Sequence, residues 1–522
     1  MSTRKAGQLQ LRWWTMERGD IDATVAQLGF NFAQMLIPIF LLLPVGITMS
    51  FGMSNLVPGY ALGFLVGSLG LTGLAIGLAR KEKRTDVTAH VYGNNVPAII
   101  AYTLTIMLPV YLQTHDAISA WEVGAGAVII TGLIKLAAAP FAAAIERFVP
   151  VPALMTVFGA AMYSYLALVL LQRIFDQPLV GLVALMIVAS TEFARLPITK
   201  WRIPPLLVVW LVPLAIAIGI GYVHPVWQGF AFTLPFVPSW GPVNGVVKAF
   251  DYLSVIVPIS IYLVMQDIAA VEGSKSAGDN YHAGKVLAVD GVGTLICGLA
   301  GCVVTPVIYA LHPPYKLDGA RIGFSFWTGV IFFAVVVSGL TASITQLFPW
   351  PILSAMIAFV AIGVGAATLR RVDSKYYSAV LLGFVLPAGA IVSSAVSSAL
   401  PALHLSAADP AVLAALNKSI YWSSLQGLGD GFLFLVLVVS AVIVEMIDRR
   451  FGHATIWCLI AAAFSWVGLL HSAVINWGGQ WMYAVGWLAV AFIVFTARWW
   501  RGDLVKTDGK APKSVTTPAA KR

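Results

Sequence analysis

Charge is what this sequence has least of. Asp, Glu, Lys and Arg make up 11% of its residues, against about 25% in soluble domains. With 59% hydrophobic residues and a mean hydropathy of +0.86, a water-soluble fold would lack the polar surface to cover itself. Cysteine is scarcer still. Cys297, Cys302 and Cys458 all fall in apolar segments, at no metal-ligand spacing and in no disulfide framework. Alternating apolar strands of about ten residues are missing, which excludes an outer-membrane barrel. The loops hold no Walker sequence, metal cluster or nucleophile–base set. That excludes ATP-driven transport by this chain alone and argues against a membrane enzyme or sensor; no cofactor is expected. What remains is an all-α polytopic membrane protein.

The net charge of +9 is not a nucleic-acid signal, because Lys and Arg sit mostly at the ends of hydrophobic runs, where they orient a membrane protein. Residues 1–27 are polar, with an amphipathic patch at 11–16 containing Trp13 and Trp14 that reads as an interfacial anchor. The first hydrophobic run is too long for a signal h-region, so no cleavable signal peptide is expected. Spans are read at 29–49, 58–78, 123–141, 151–171, 179–193, 204–223, 252–270, 286–303, 322–340, 351–367, 377–396, 432–447, 454–470 and 481–495. Two further elements are interrupted, giving about 16 in all. Alternate loops carry Arg80 to Arg84, Arg147, Lys200, Lys275, Lys316, Arg370 and Arg449, while the others hold few basic residues. This alternation predicts both termini on the cytoplasmic side of the cell (inner) membrane.

The third element is the first interrupted one. Residues 85–92 are extended in character and half hydrophobic, then Gly93-Asn94-Asn95 leads into a helix from Val96 with Pro97 in its first turn. The tenth, at 304–317, is broken by Pro306, Pro313 and Pro314. They lie seven elements apart and enter from opposite faces. Matching interruptions in two halves predict an inverted repeat with a site between them. The expected organisation is a cytoplasmic segment (1–27), a first repeat (28–224), an extracytoplasmic loop (225–247), a second repeat (248–450), an extra transmembrane hairpin (451–498) and a cytoplasmic tail (499–522).

The stretch 259–319 organises the chemistry. Asp267 lies within an apolar helix, and Asp290 near the start of a Gly-rich one. Acids inside hydrophobic segments mark substrate and coupling-ion sites. A buried carboxyl takes up a proton near neutral pH, so Asp267 is the candidate coupling residue, the alternative being a surface carboxylate paired with Lys275. Asp290 either shares the coupling or hydrogen-bonds the broken third element. Gly93, Asn94 and Asn95 are placed to offer backbone N–H groups and amides at a half-helix start. Thr305, Tyr309 and His312 lie in the second broken element, with Tyr309 able to stack on a ring and His312 to titrate near neutrality. Asn31 and Gln34 are one turn apart in the first span, facing either the cavity or a helix interface.

Three motifs resemble a known family. Y-G-N-N-V-P-A-I-I-A-Y-T (from Tyr92), V-L-A-V-D-G-V-G-T-L-I-C-G-L-A-G (from Val286) and G-A-R-I-G with T-G-V-I-F (from Gly319) resemble the nucleobase–cation symporters (xanthine/uracil permeases), nearest to the adenine/guanine/hypoxanthine permease branch. The likeness covers roughly residues 30–450. It implies a seven-plus-seven inverted-repeat fold in which a core domain moves against a gate domain. It also implies proton- or sodium-coupled uptake of a purine-like base, with Tyr92 in the binding motif. Asp267, or its neighbour Gln266, aligns with the eighth-segment acid. The family's tenth-segment acid is replaced by Tyr309 or Ala310. Dimers are usual in the wider fold, so a homodimer is among the states the resemblance allows. The alternative is a dicarboxylate or oxyanion carrier on the same fold, since facing positive helix ends without a tenth-segment acid suit an anion.

Overall fold

The computed structural model describes residues 14–43, 46–194 and 205–497, except 228, 231, 238, 310, 342, 344–345, 348, 404, 408 and 473–475. Apolar runs flanked by Pro and Gly become helices, because in lipid every backbone polar group has to be satisfied within the segment. In chain order, α1 is Arg18–Met35 and α2 Pro58–Glu82. Strand β1, Val91–Asn94, is followed by α3, Val96–Tyr102, which continues through a π-helical turn into a further helix at Leu108–Thr114. Then come α4 (Ala117–Ala138), α5 (Val151–Gly159), α6 (Ala167–Asp176), α7 (Pro178–Val188), α8 (Pro205–Gly219), α9 (Gly241–Ala249), α10 (Leu253–Ser276) and α11 (Ala283–Leu299). Strand β2 is Pro306–Tyr309, and α12 is His312–Leu317. They are followed by α13 (Gly323–Val337), α14 (Trp350–Arg371), α15 (Tyr377–Val385), α16 (Ala388–Ala402), α17 (Pro410–Ile420), α18 (Trp422–Gly429), α19 (Phe432–Ile447), α20 (Phe451–Val467) and α21 (Trp481–Ala497).

The broken elements meet. β1 and β2 form a two-stranded antiparallel ribbon, with Val91 opposite Tyr309 and Asn94 opposite Pro306. A ribbon inside a membrane protein needs partners along its outer edges. Here the Asp267 carboxylate accepts from Ile308 N–H at 3.0 Å, and Gln27 Nε2 donates to Tyr92 O at 2.7 Å. Asn95 N–H donates to Thr305 O at 3.0 Å.

Helix contacts sort the chain into two bodies. In one, α11 packs between α2 and α4, α13 against α1 and α2, and α9 against α4. In the other, α14 packs on α6 and α7, and α19 on α5 and α15. The first body holds elements one to four and eight to eleven; the second holds five to seven and twelve to fourteen. This is a core-and-gate partition with the ribbon in the core, and α10 borders both bodies by touching α4, β2, α5 and α19. Small residues set the tightest crossings. A side chain at Gly132 of α4 would run into the backbone of Leu295, and one at Gly291 of α11 into Leu136.

Several expected boundaries shift. The first span begins at Arg18 rather than 29. Asp20 draws it in, accepting from Arg321 N–H (2.7 Å) and Phe324 N–H (3.2 Å) beside the start of α13. The aromatic and Pro-rich loop after α8 contains a helix, α9, because Gly126 and Gly245 let it lie flush against α4. The thirteenth span is split into α15 and α16 around Pro387. Six described helices are long and apolar enough to cross a membrane unaided, and a bent pair, Trp422–Gly429 with Phe432–Ile447, makes a seventh.

Candidate functional site

The ribbon is lined by polar side chains from three directions. From α1, Gln27, Asn31 and Gln34 form one stripe. The Tyr309 hydroxyl lies 2.6 Å from both Gln34 Oε1 and Asn94 O, and Asn31 Oδ1 accepts from the Tyr60 hydroxyl of α2 at 3.0 Å. At the end of β1, Asn95 is a junction. Its Oδ1 accepts from Ala98 N–H (2.7 Å) and so caps α3, while its Nδ2 donates to Gln266 Oε1 (2.6 Å) and Tyr262 Oη (3.3 Å) on α10. Gly93 faces the Tyr309 ring so closely that any side chain there would strike it. The Tyr92 ring stacks on Phe64 at 5.6 Å.

The third direction is a buried charge cluster. Lys135 of α4 donates to Asp290 Oδ2 (2.5 Å), Pro306 O (2.8 Å) and Thr294 Oγ1 (3.3 Å). Both charged side chains are 0% exposed. Asp290 therefore braces the second broken element through Lys135, and its carboxylate also acts on the Tyr92 hydroxyl of the third element. Lys135 is missing from the candidates drawn from sequence. The signal was present, since a lone ammonium inside the fourth span is by default a functional residue. Asp267 is 1% exposed, and Lys275 pairs with Glu272 instead, which corrects the surface-carboxylate alternative. The charges acting on Asp267 are those of Asp290 and Lys135.

Several polar atoms in this region are buried and have no partner among the described residues. They are Asn31 Nδ2, both side-chain atoms of Asn94, Thr305 Oγ1, the Tyr92 hydroxyl and Asp267 Oδ2. Most buried polar groups are paired, so such a concentration around one ribbon makes it the candidate site.

His312 lies outside this group. Its Nε2 is 3.2 Å from Asp279 Oδ2 and 3.1 Å from Thr88 O. Asp279, in the turn between α10 and α11, also accepts from Arg84 (2.7 Å), Lys316 (2.6 Å) and Thr88 N–H (3.1 Å). Burial pushes the Asp279 carboxyl up, but the hydrogen bonds from His312, Lys316 and Thr88 outweigh it and hold the group far below the ordinary carboxylate range. The network ties the feet of both broken elements together. In the antiparallel ribbon, α3 starts beyond the Asn94–Pro306 end and α12 beyond the Val91–Tyr309 end. Pro313 and Pro314 also strip N–H donors from the first turn of α12. Ala310 lies outside the described residues.

No family model and no curated protein matches the chain. Solved structures do. The transmembrane domain of a cyanobacterium bicarbonate transporter, BicA, is 12% identical over 69% of this chain and 91% of that one, with a TM-score of 0.47. A structure of SLC26A9 is 12% identical over 92% of this chain and 65% of that chain, with a TM-score of 0.49. The murine Slc26a9 anion transporter in its inward-facing state is 14% identical over 81% and 69%, with a TM-score of 0.41. The chain is a polytopic helical membrane protein whose described helices pack as two bodies, with the ribbon in one of them. The resemblance to the nucleobase–cation symporters is corrected: no family model matches the chain, and the solved structures it is similar to are those of a bicarbonate transporter and an anion transporter. The motifs behind that resemblance serve general needs of the fold. Gly93 and Asn95 build a ribbon and a helix cap, and Gly291, Gly293 and Gly298 let α11 sit close to its neighbours.

Proposed function

We propose that this protein is a secondary active transporter that carries a small anion, such as an oxyanion or dicarboxylate, by moving its core against its gate. One observation carries the reading. Asn31 Nδ2, Asn94 Nδ2 and Thr305 Oγ1 are buried donors without an acceptor among the described residues. Leaving one buried donor unpaired costs about 1–3 kcal/mol, and an anion supplies the missing acceptors. In this reading Asn31, Gln34, Tyr92 to Asn95, Thr305 and Tyr309 bind the substrate, with Gln266 and Tyr262 fixing Asn95. Asp267 and Asp290 belong to ion coupling. The alternation of basic loops supports a cell-membrane location with both termini in the cytoplasm.

Uptake into proteoliposomes tests the reading. Labelled bicarbonate, sulfate and a dicarboxylate are each offered with and without an excess of purines. Saturable uptake of at least one anion, indifferent to purines, is expected. Uptake of no anion, or competition by neutral bases alone, would refute it.

A further inference from the structure

The three oxygens around Lys135 form an unusual partner set for a lysine. They are a carboxylate oxygen of Asp290, a hydroxyl of Thr294 and the backbone carbonyl of Pro306, at 2.5, 3.3 and 2.8 Å. Carboxylate, hydroxyl and carbonyl oxygens converging from separate elements are the donors that hard cations take. The ammonium has three N–H donors, and this set uses all three. It reaches its place because Gly132 and Gly291 bring α4 and α11 together one turn away. A further carboxylate oxygen, Asp267 Oδ2, is buried without a partner, and Asp290 and Lys135 are the charges acting on that side chain.

We infer that the Lys135 ammonium is a tethered cation occupying a monovalent-cation site, built from Asp290, Thr294 and the Pro306 carbonyl, that would otherwise take Na+. A covalently held cation cannot exchange with solution. Transport then needs no Na+, and the second broken element is held to the core by charge at all times. Removing the ammonium while leaving space turns the site into one for Na+; removing it and filling the space does not. The uptake consequence rests on the transporter reading; the binding consequence does not.

The test uses the purified full-length protein, melted in NaCl and in choline chloride at equal ionic strength. The wild type should melt at the same temperature in both salts. Lys135→Ala should melt several degrees higher in NaCl, saturably, because an ion that binds the native state stabilises it by mass action. Lys135→Met, which fills the space with an uncharged chain, should show no difference. A Na+-specific rise in the wild type or in Lys135→Met would overturn the inference, because sodium would then be binding elsewhere. So would a folded Lys135→Ala indifferent to Na+, or one that fails to fold in both salts, since a vacated site of this kind is rescued by the ion. Wild-type uptake is measured in parallel with Na+ replaced by choline. Equal uptake supports the inference, and Na+-dependent uptake contradicts it. Absence of uptake of any anion counts against the transporter reading and leaves the melting result to stand by itself.

Discussion

The third element leaves its strand through Asn95, which caps α3 and reaches Gln266 and Tyr262 on α10. The tenth leaves its strand near Leu311, into a six-residue helix that opens on two prolines and ties His312 to Asp279. The strands pair residue for residue, yet their surroundings differ. Around β1 lie amides and hydroxyls, several without partners. Along β2 lie charges, with Lys135 on Pro306 and Asp267 on Ile308. The two broken elements thus share a strand-then-helix shape but divide the chemistry: the first presents neutral donors, and the second is anchored by ions.

The sharpest way to break that contrast is to remove an anchor. Lys135→Met leaves Asp290 buried and unpaired, and breaking a buried ion pair costs about 3–5 kcal/mol. The melting temperature should collapse, and pairing the change with Asp290→Asn should recover part of the loss; strict additivity in that cycle would refute the pairing. Next comes Asn95→Ala, which removes a helix cap worth about 1 kcal/mol and also strands Gln266. A loss of about 1–3 kcal/mol is expected by chemical denaturation, with uptake impaired.

Acidification separates the two copies more gently. The Asp279 carboxyl titrates lower in the folded protein than in the unfolded chain. Its contribution is therefore fully present above the unfolded value of about 3.9 and is lost as the pH falls from there through the folded value. Melting temperature against pH should fall less steeply below about pH 4 in Asp279→Asn than in wild type; parallel curves would refute this role. The smallest stability effect belongs to Asn94→Ala. Its amide makes no hydrogen bond within normal geometry among the described residues, so stability should change little while uptake falls, a combination that a purely structural asparagine would not give.

Much of this architecture is legible in the sequence. The half-polar stretch before Gly93-Asn94-Asn95, and the prolines after Thr305, disclose two broken elements because a membrane helix tolerates neither without a reason. Asp267 is legible as a buried acid. Lys135 is equally legible, as a lone ammonium inside a hydrophobic run. Gln27 was overlooked, although it stands one turn before Asn31 on the same stripe. What no local pattern discloses is pairing across the repeats. Tyr309 meets Gln34 from 275 positions away, and Trp327 donates to Trp14 O; only the closed fold brings them together. The family resemblance misled for a related reason. Glycines and asparagines at such positions are demanded by the ribbon and by close helix contacts, whatever the substrate.

The most direct test of the account is the melting temperature of the purified protein against bicarbonate, sulfate, dicarboxylates, purines and pyrimidines, measured for wild type and Asn94→Ala. The account predicts stabilisation of the wild type by an anion and its loss in the variant. Stabilisation by a neutral base, or by an anion equally in both proteins, would contradict it.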